Sequence, residues 1–173
     1  PALQSDGALA VDGTLGLALN SKFPKCLVWG PGMVMLPNDA FRPILGDKGE
    51  VLGRSFAEVW SEVWDEIGPT ADRAYAGEPT FVQDFPLTID RYGYPEPCHF
   101  TFCYSPVRDE NGIVRGMMDT VIETTRTVET ARQLELRNSE LAHRIKNTLA
   151  VVSAIVNQTL QSHEGREAGV HLR

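Results

Sequence analysis

The stretch Cys98-His99-Phe100-Thr101-Phe102-Cys103-Tyr104-Ser105-Pro106-Val107-Arg108-Asp109-Glu110-Asn111-Gly112-Ile113-Val114-Arg115-Gly116-Met117-Met118-Asp119-Thr120-Val121-Ile122-Glu123 decides the fold. Side chains alternate faces along a strand. From His99 to Val107, Phe100, Phe102 and Tyr104 therefore share one side, and His99, Thr101 and Cys103 share the other. Asp109-Glu110-Asn111-Gly112 is a hairpin turn with Asn-Gly at its tip. Ile113 to Glu123 is the returning strand. Upstream, Phe81 to Asp90 reads as another strand. The Tyr92-Gly93-Tyr94-Pro95-Glu96-Pro97 run between them predicts a turn, because proline and glycine are expected outside a sheet interior.

Toward the N-terminus, Cys26-Leu27-Val28-Trp29 and Met33-Val34-Met35-Leu36 flank Gly30-Pro31-Gly32, which predicts a second antiparallel hairpin. Asn38 and Asp39 supply caps for a short helix, Ala40 to Leu45, ended by Gly46. Ser55 caps a longer helix in which Phe56, Val59, Trp60, Val63, Trp64 and Ile67 recur at helical spacing. Gly68-Pro69 is expected to interrupt it, with one more turn from Ala71 to Ala76. Both tryptophans read as a packed helix face. The order of elements predicts an α+β domain: a five-stranded antiparallel sheet with flanking helices. Leu15 to Asn20 forms a lead-in, and residues 1–14, small and weakly patterned, are expected to be mobile.

The 173 residues suffice for one domain and an extension. A net charge of −7 with no basic block argues against a nucleic-acid or anionic-membrane binder. No apolar run approaches the roughly 20 residues that cross a bilayer, and the N-terminus has no signal-peptide pattern. The chain starts at Pro1 without a methionine and reads as part of a longer protein. Cys26, Cys98 and Cys103 are odd in number and lack metal-ligand spacing, so they are expected to be structural thiols in a reducing cytosol, with no metal site.

From Thr124 the composition changes. Proline disappears, and glycine is absent until Gly165. Arg126, Glu129, Arg132, Glu135, Arg137 and Glu140 alternate in sign, as on a solvated helix surface. Leu134, Leu141, Ile145, Val152 and Ile155 form an apolar stripe close to a heptad seam, joined by Val156, Thr148 and Thr159, with Leu149 at its edge. Such a stripe on a single helix needs a cover, which predicts pairing with a second copy or with a further segment. His143 lies opposite the stripe, with Glu140 and Asn147 one turn to either side. Beyond Gln161 the pattern decays.

Two resemblances follow from these residues. His143-Arg144-Ile145-Lys146-Asn147-Thr148-Leu149-Ala150-Val151-Val152 resembles the phosphoacceptor box of HWE-type bacterial sensor histidine kinases; the related second histidine-kinase class shares its His-Arg-x-Lys-Asn core. The preceding domain resembles PAS sensor domains through Trp29-Gly30-Pro31, Asn38-Asp39-Ala40-Phe41, Pro43-Ile44-Leu45-Gly46 and Gly53-Arg54. Glu58-Val59-Trp60, Trp64-Asp65-Glu66-Ile67-Gly68-Pro69 and Tyr104-Ser105-Pro106-Val107-Arg108-Asp109 extend the match. The organisation so implied is a mobile segment (1–14), a PAS sensor domain (15–125), a signalling helix with the first helix of a dimerisation and phosphoacceptor domain (126–161), and a polar tail or truncated connection (162–173).

What the resemblance implies is the sensor and phosphoacceptor portion of a cytoplasmic two-component kinase that acts as a homodimer. A separate ATP-binding domain of the parent, using ATP and Mg2+, would phosphorylate His143, and the group would pass to an aspartate of a response regulator. The piece in hand is expected to be inactive alone. Asn147 and Lys146 match the box. Where commoner histidine kinases carry an acidic residue after the histidine, this chain has Arg144, so Glu140 is the geometric candidate for the base. Arg144 and Lys146 are candidates for drawing in phosphate charge. No cofactor is expected in this piece: the short helix Asn38-Asp39-Ala40-Phe41-Arg42 lacks the cysteine of flavin photosensors, and His99 alone is a weak case for haem. The sensor's ligand is unknown, and Phe41, Phe100 and Phe102 are candidates to line a pocket. The competing function is a non-catalytic PAS adaptor that dimerises through its C-terminal helix.

Overall fold

The computed structural model describes the backbone of residues 15–168 and side chains as far as residue 157. Residues 1–14 and 169–173, and the side chain of Thr159, lie outside the described residues. Five strands form one sheet: β1 (Lys25–Trp29), β2 (Val34–Pro37), β3 (Thr80–Asp90), β4 (Pro95–Arg108) and β5 (Val114–Glu123). Their spatial order is β2-β1-β5-β4-β3, and every neighbouring pair is antiparallel. Helices interleave as α1 (15–19), α2 (Arg42–Leu45), α3 (Phe56–Val59), α4 (Trp64–Tyr75) and α5 (Thr125–Ala168). The α+β expectation holds.

The alternation read from β4 is the packing observed. Phe100, Phe102 and Tyr104 are buried in one cluster with Phe41 and Phe56 from the helical side, and with Ile67, Ala71 and Ala74 of α4. On the opposite face a smaller cluster forms around Leu27 and Val107, with Leu15, Trp29, Leu36 and Met118 packed against it. β1 and β5 approach so closely that a Cβ at Gly116 would overlap the Val28 carbonyl oxygen. Only glycine fits there.

Asn38 ties the lead-in to the sheet. Its amide nitrogen lies 3.0, 3.1 and 2.9 Å from the carbonyl oxygens of Ala18, Ser21 and Phe23. Its amide oxygen accepts from the backbone N–H of Lys25 and of Phe41. A side chain 3% exposed is thereby fully engaged.

Three local expectations need correction. The helix from Phe56 is not continuous. It ends at Trp60, passes through a 3-10 turn (Ser61–Val63) and restarts as α4. The tighter turn lets Val59, Trp60 and Val63 all be buried. Gly68-Pro69 does not interrupt α4. Pro69 and Asp65 are both exposed, so the Asp65 carbonyl that loses its amide partner faces water. Finally, β4 begins at Pro95, pairing with β3 through Pro95 and Pro97. Pairing with β5 starts only at Phe100, so both prolines sit where a missing N–H breaks no second ladder. In addition, α5 remains helical through described residues expected to decay into a tail, as far as Ala168.

On β5 the apolar pattern is broken by a carboxylate. Asp119 is 3% exposed between Met117 and Val121 on β5, and its Oδ1 has no hydrogen-bond partner. Burial pushes its carboxyl well above the usual carboxylate range. Below about pH 3.9 the unfolded chain also keeps this group protonated, so folding meets no penalty there. As pH rises, the unfolded carboxyl ionises while the folded one does not, and stability falls by up to about 1.4 kcal/mol per pH unit. Asp119→Asn removes that dependence. Urea denaturation of both proteins between pH 4 and pH 7 should show the variant's advantage growing with pH (up to the folded-state pKa). Parallel curves would refute the buried neutral acid.

Candidate functional site: the long helix and the end of the sheet

α5 forms because nothing from Thr124 to residue 164 breaks it. Within it His143 is exposed. Asn147, one turn later, places its amide nitrogen 3.5 Å from His143 Nδ1. Glu140, Arg144 and Lys146 are also exposed, and among the described residues no hydrogen bond joins Glu140 to His143. The Thr148 hydroxyl donates to the Arg144 carbonyl at 3.0 Å, which engages the backbone at this turn rather than the imidazole. Leu134, Leu141, Ile145 and Val152 are exposed on the stripe. Structure thus brings Asn147 to the histidine ring and leaves the three charged neighbours in solvent.

A second polar cluster lies where β5 hands over to α5. Arg91, with 6% of its side chain exposed, grips two carboxylates. Its Nε and Nη2 donate to Glu96 at 2.7 and 3.1 Å; Nη1 and Nη2 donate to Glu123 at 2.8 and 3.2 Å. A further bond from Nη1 reaches the Pro43 carbonyl at 3.2 Å. The Glu96 bonds do most to hold the guanidinium above its usual range, and Arg91 in turn holds the Glu96 carboxyl low. Glu123 also accepts from the Thr125 hydroxyl, and that hydroxyl accepts from the His99 N–H at 2.9 Å. The Thr124 N–H donates to the His99 carbonyl at 2.7 Å. The last strand residue and the first helix residue are thereby locked to β4 and to a buried cation.

Phe41, Phe100 and Phe102 line a core cavity of about 40 Å3, together with Phe56, Tyr104 and Asp119. His99 stands on the other face of β4 from Phe100, away from that cavity. Among the described residues no cluster of side chains has the makings of a metal site, and no helix is long and apolar enough to cross a membrane.

A family model described as PAS fold matches residues 32–129, more than half of the 173. The chain belongs to the PAS-fold family. A second model, HWE histidine kinase, matches residues 140–172, which include His143 and Asn147. The chain thus joins a PAS domain to a stretch similar to HWE histidine kinases. No curated protein matches the chain. Among solved structures, an RNA-binding light-oxygen-voltage receptor is similar with a TM-score of 0.54 at 22% identity, covering 83% of this chain and 41% of its own. The phage VqmA-DPO complex gives 0.52 at 20%, covering 78% and 60%. The Rhodobacter sphaeroides LOV protein gives 0.53 at 18%, covering 68% and 69%. At these identities the likeness is one of fold. The chain spans well under two thirds of the first of these proteins and 60% of the second.

The Arg91 cluster and the burial of Asp119 escaped the sequence reading. Asp119 was legible as a core-facing position by alternation with Met117 and Val121. Nothing local marks Arg91, whose partners lie 5 and 32 residues away. Removing one member of a buried ion cluster leaves the others unpaired. Because Glu96 and Glu123 are partly exposed, Arg91→Ala should cost about 3 kcal/mol, the low end of the buried range. Urea denaturation measures it, and a loss within experimental error would show the cluster to be dispensable.

Proposed function

We propose that this chain is the sensor and phosphoacceptor portion of a cytosolic two-component histidine kinase. The observation that carries the reading is the HWE match over a helix on which His143 is exposed and flanked by Asn147, in a chain that also carries a PAS domain. In this reading a neutral His143 attacks the γ-phosphorus of ATP held by a separate domain of the parent. A nitrogen–phosphorus bond forms, the bond to the ADP oxygen breaks, and the remaining ring proton leaves to solvent or a base. The phosphoryl group then passes to an aspartate of a response regulator.

Asn147 orients the ring. An amide can present its N–H or, turned over, its carbonyl oxygen to Nδ1. With the carbonyl facing Nδ1–H, the proton is held there and the Nε2 lone pair is free to attack. Arg144 and Lys146 stand near enough along the helix to attract phosphate oxygens. The exposed stripe through Leu134, Leu141, Ile145 and Val152 supports pairing with a second copy, since an open seam of that length is unfavourable in water.

In the full-length parent, ATP and magnesium should label His143 as an acid-labile, base-stable phosphoramidate, and His143→Ala should reduce the label to background. Undiminished labelling of that variant would move the phosphoacceptor off His143, and a parent that takes no label would leave the adaptor reading.

Signal passage is proposed to run through the clamp at Glu123, Thr124 and Thr125, because movement of the sheet reaches the helix there without a flexible link. Inserting a few glycines after Thr125 should leave kinase activity unresponsive to the signal. A response identical to that of the parent would count against mechanical coupling.

A further inference from the structure

The strip along α5 contains one residue that apolar packing does not call for. With Leu134 and Leu141 at position d of a heptad, Thr148 and Ile155 follow at d. Ala131, Asn138, Ile145 and Val152 then fall at a. Asn138 therefore lies in the seam, between the two leucines and within about 60° of each around the helix. All three side chains are exposed, so the strip stands open along this stretch.

Three features identify what covers it. Leucine at d (134 and 141) with β-branched Ile145 and Val152 at a is the combination that suits two parallel strands. Width agrees with this. Beside Asn138 the strip is bounded by the exposed charges Glu135 and Arg137, which leaves room for one covering helix. It broadens only later, through Leu149, Val151 and Val156.

The amide itself decides orientation and register. Once covered, its donor and acceptor must be met, because an unmet buried amide is costly. An antiparallel pair centred here sets Asn138 against Leu134 or Leu141. A parallel pair slipped by one heptad sets it against Ala131 or Ile145. Only a parallel copy in register brings a second amide to the same height, where the N–H of one can donate to the carbonyl oxygen of the other.

We infer that Asn138 bonds to its counterpart in a second copy of this chain and so fixes a parallel, two-stranded, in-register seam. It does so at a cost in affinity relative to leucine. The inference rests on the pairing proposed above and adds the residue that sets its register and partner choice. A chain with an apolar residue at this height would leave the amide unmet, so like chains pair with like.

The test compares the 173-residue chain with its Asn138→Leu variant. Sedimentation equilibrium should give a dimer for the unsubstituted chain. Asn138→Leu should associate more tightly, by roughly tenfold or more, and form species larger than a dimer. Orientation is read by mild oxidation of Leu134→Cys and Leu141→Cys, separately and mixed, with one of them lengthened by a tag so that mixed pairs separate by size. The unsubstituted chain controls for Cys26, Cys98 and Cys103. A parallel seam in register cross-links each variant with itself and gives no mixed product; an antiparallel seam centred on Asn138 cross-links only the mixture. Adding Asn138→Leu to both variants should make mixed product appear. An unsubstituted chain that stays monomeric would refute the pairing and this inference with it. A dimer whose size and cross-links survive Asn138→Leu, whatever its affinity, or one that cross-links only in the mixture, would refute the role of Asn138 and leave the pairing intact.

Discussion

The structure depends on the position of one strand. β5 lies at the centre of the sheet, bonded to β1 on one side and β4 on the other, and after a single residue it becomes α5. Its register therefore fixes several things at once. It places Gly116 where β1 comes too close for any side chain, Asp119 at the cavity wall, and Glu123 against Arg91. A slip of one residue would reverse every face and undo all three. Helix entry cannot vary independently of this register, because Thr124 and Thr125 are bonded to the backbone of His99 on the neighbouring strand.

Around that strand, buried polar groups fall into two kinds. Asn38 and Arg91 have nearly every donor and acceptor engaged, and each joins segments distant in sequence: the lead-in to the sheet in one case, the β3–β4 turn to the strand exit in the other. Satisfied groups of this sort specify geometry because only one arrangement of the chain meets all their partners. Asp119 is the opposite case. An unsatisfied buried acceptor costs about 1–3 kcal/mol that leucine or methionine at the same place would avoid. Local rules are most often broken where a protein does something besides fold, which gives the carboxyl at the cavity wall its interest.

Sheet and long helix were legible because both rest on periodicity. The alternation through Phe100, Phe102 and Tyr104 and the Asn-Gly turn fixed a hairpin by local rules alone. Pro69 and the Pro95–Pro97 pair misled for one shared reason. Proline's cost depends on whether its missing N–H has a partner to lose, and that depends on exposure and strand neighbours rather than on sequence. Trp60 misled because tertiary packing chose a 3-10 turn over continued α-helix. The Arg91 cluster was illegible in principle, since pairs 32 residues apart carry no local signature. Of the site, His143 and Asn147 stood at a readable one-turn spacing, while Glu140 had only that same spacing to commend it and gained no contact.

The same periodicity decides how the proposed seam and the proposed phosphoacceptor coexist. Leu134, Leu141, Ile145 and Val152 follow one another by seven, four and seven residues, so they keep to a narrow strip of the helix surface. His143 is two residues from both Leu141 and Ile145, which turns it roughly 200° from each. Closing the strip against a second copy would bury the leucines and isoleucine and leave the imidazole facing outward. Pairing and phosphorylation then make no competing demand on one face. An acidic residue directly after the histidine would sit about 100° around toward one edge of the strip. Arg144 occupies that place here, and Asn147, just over one full turn on, is instead the residue aligned with the ring.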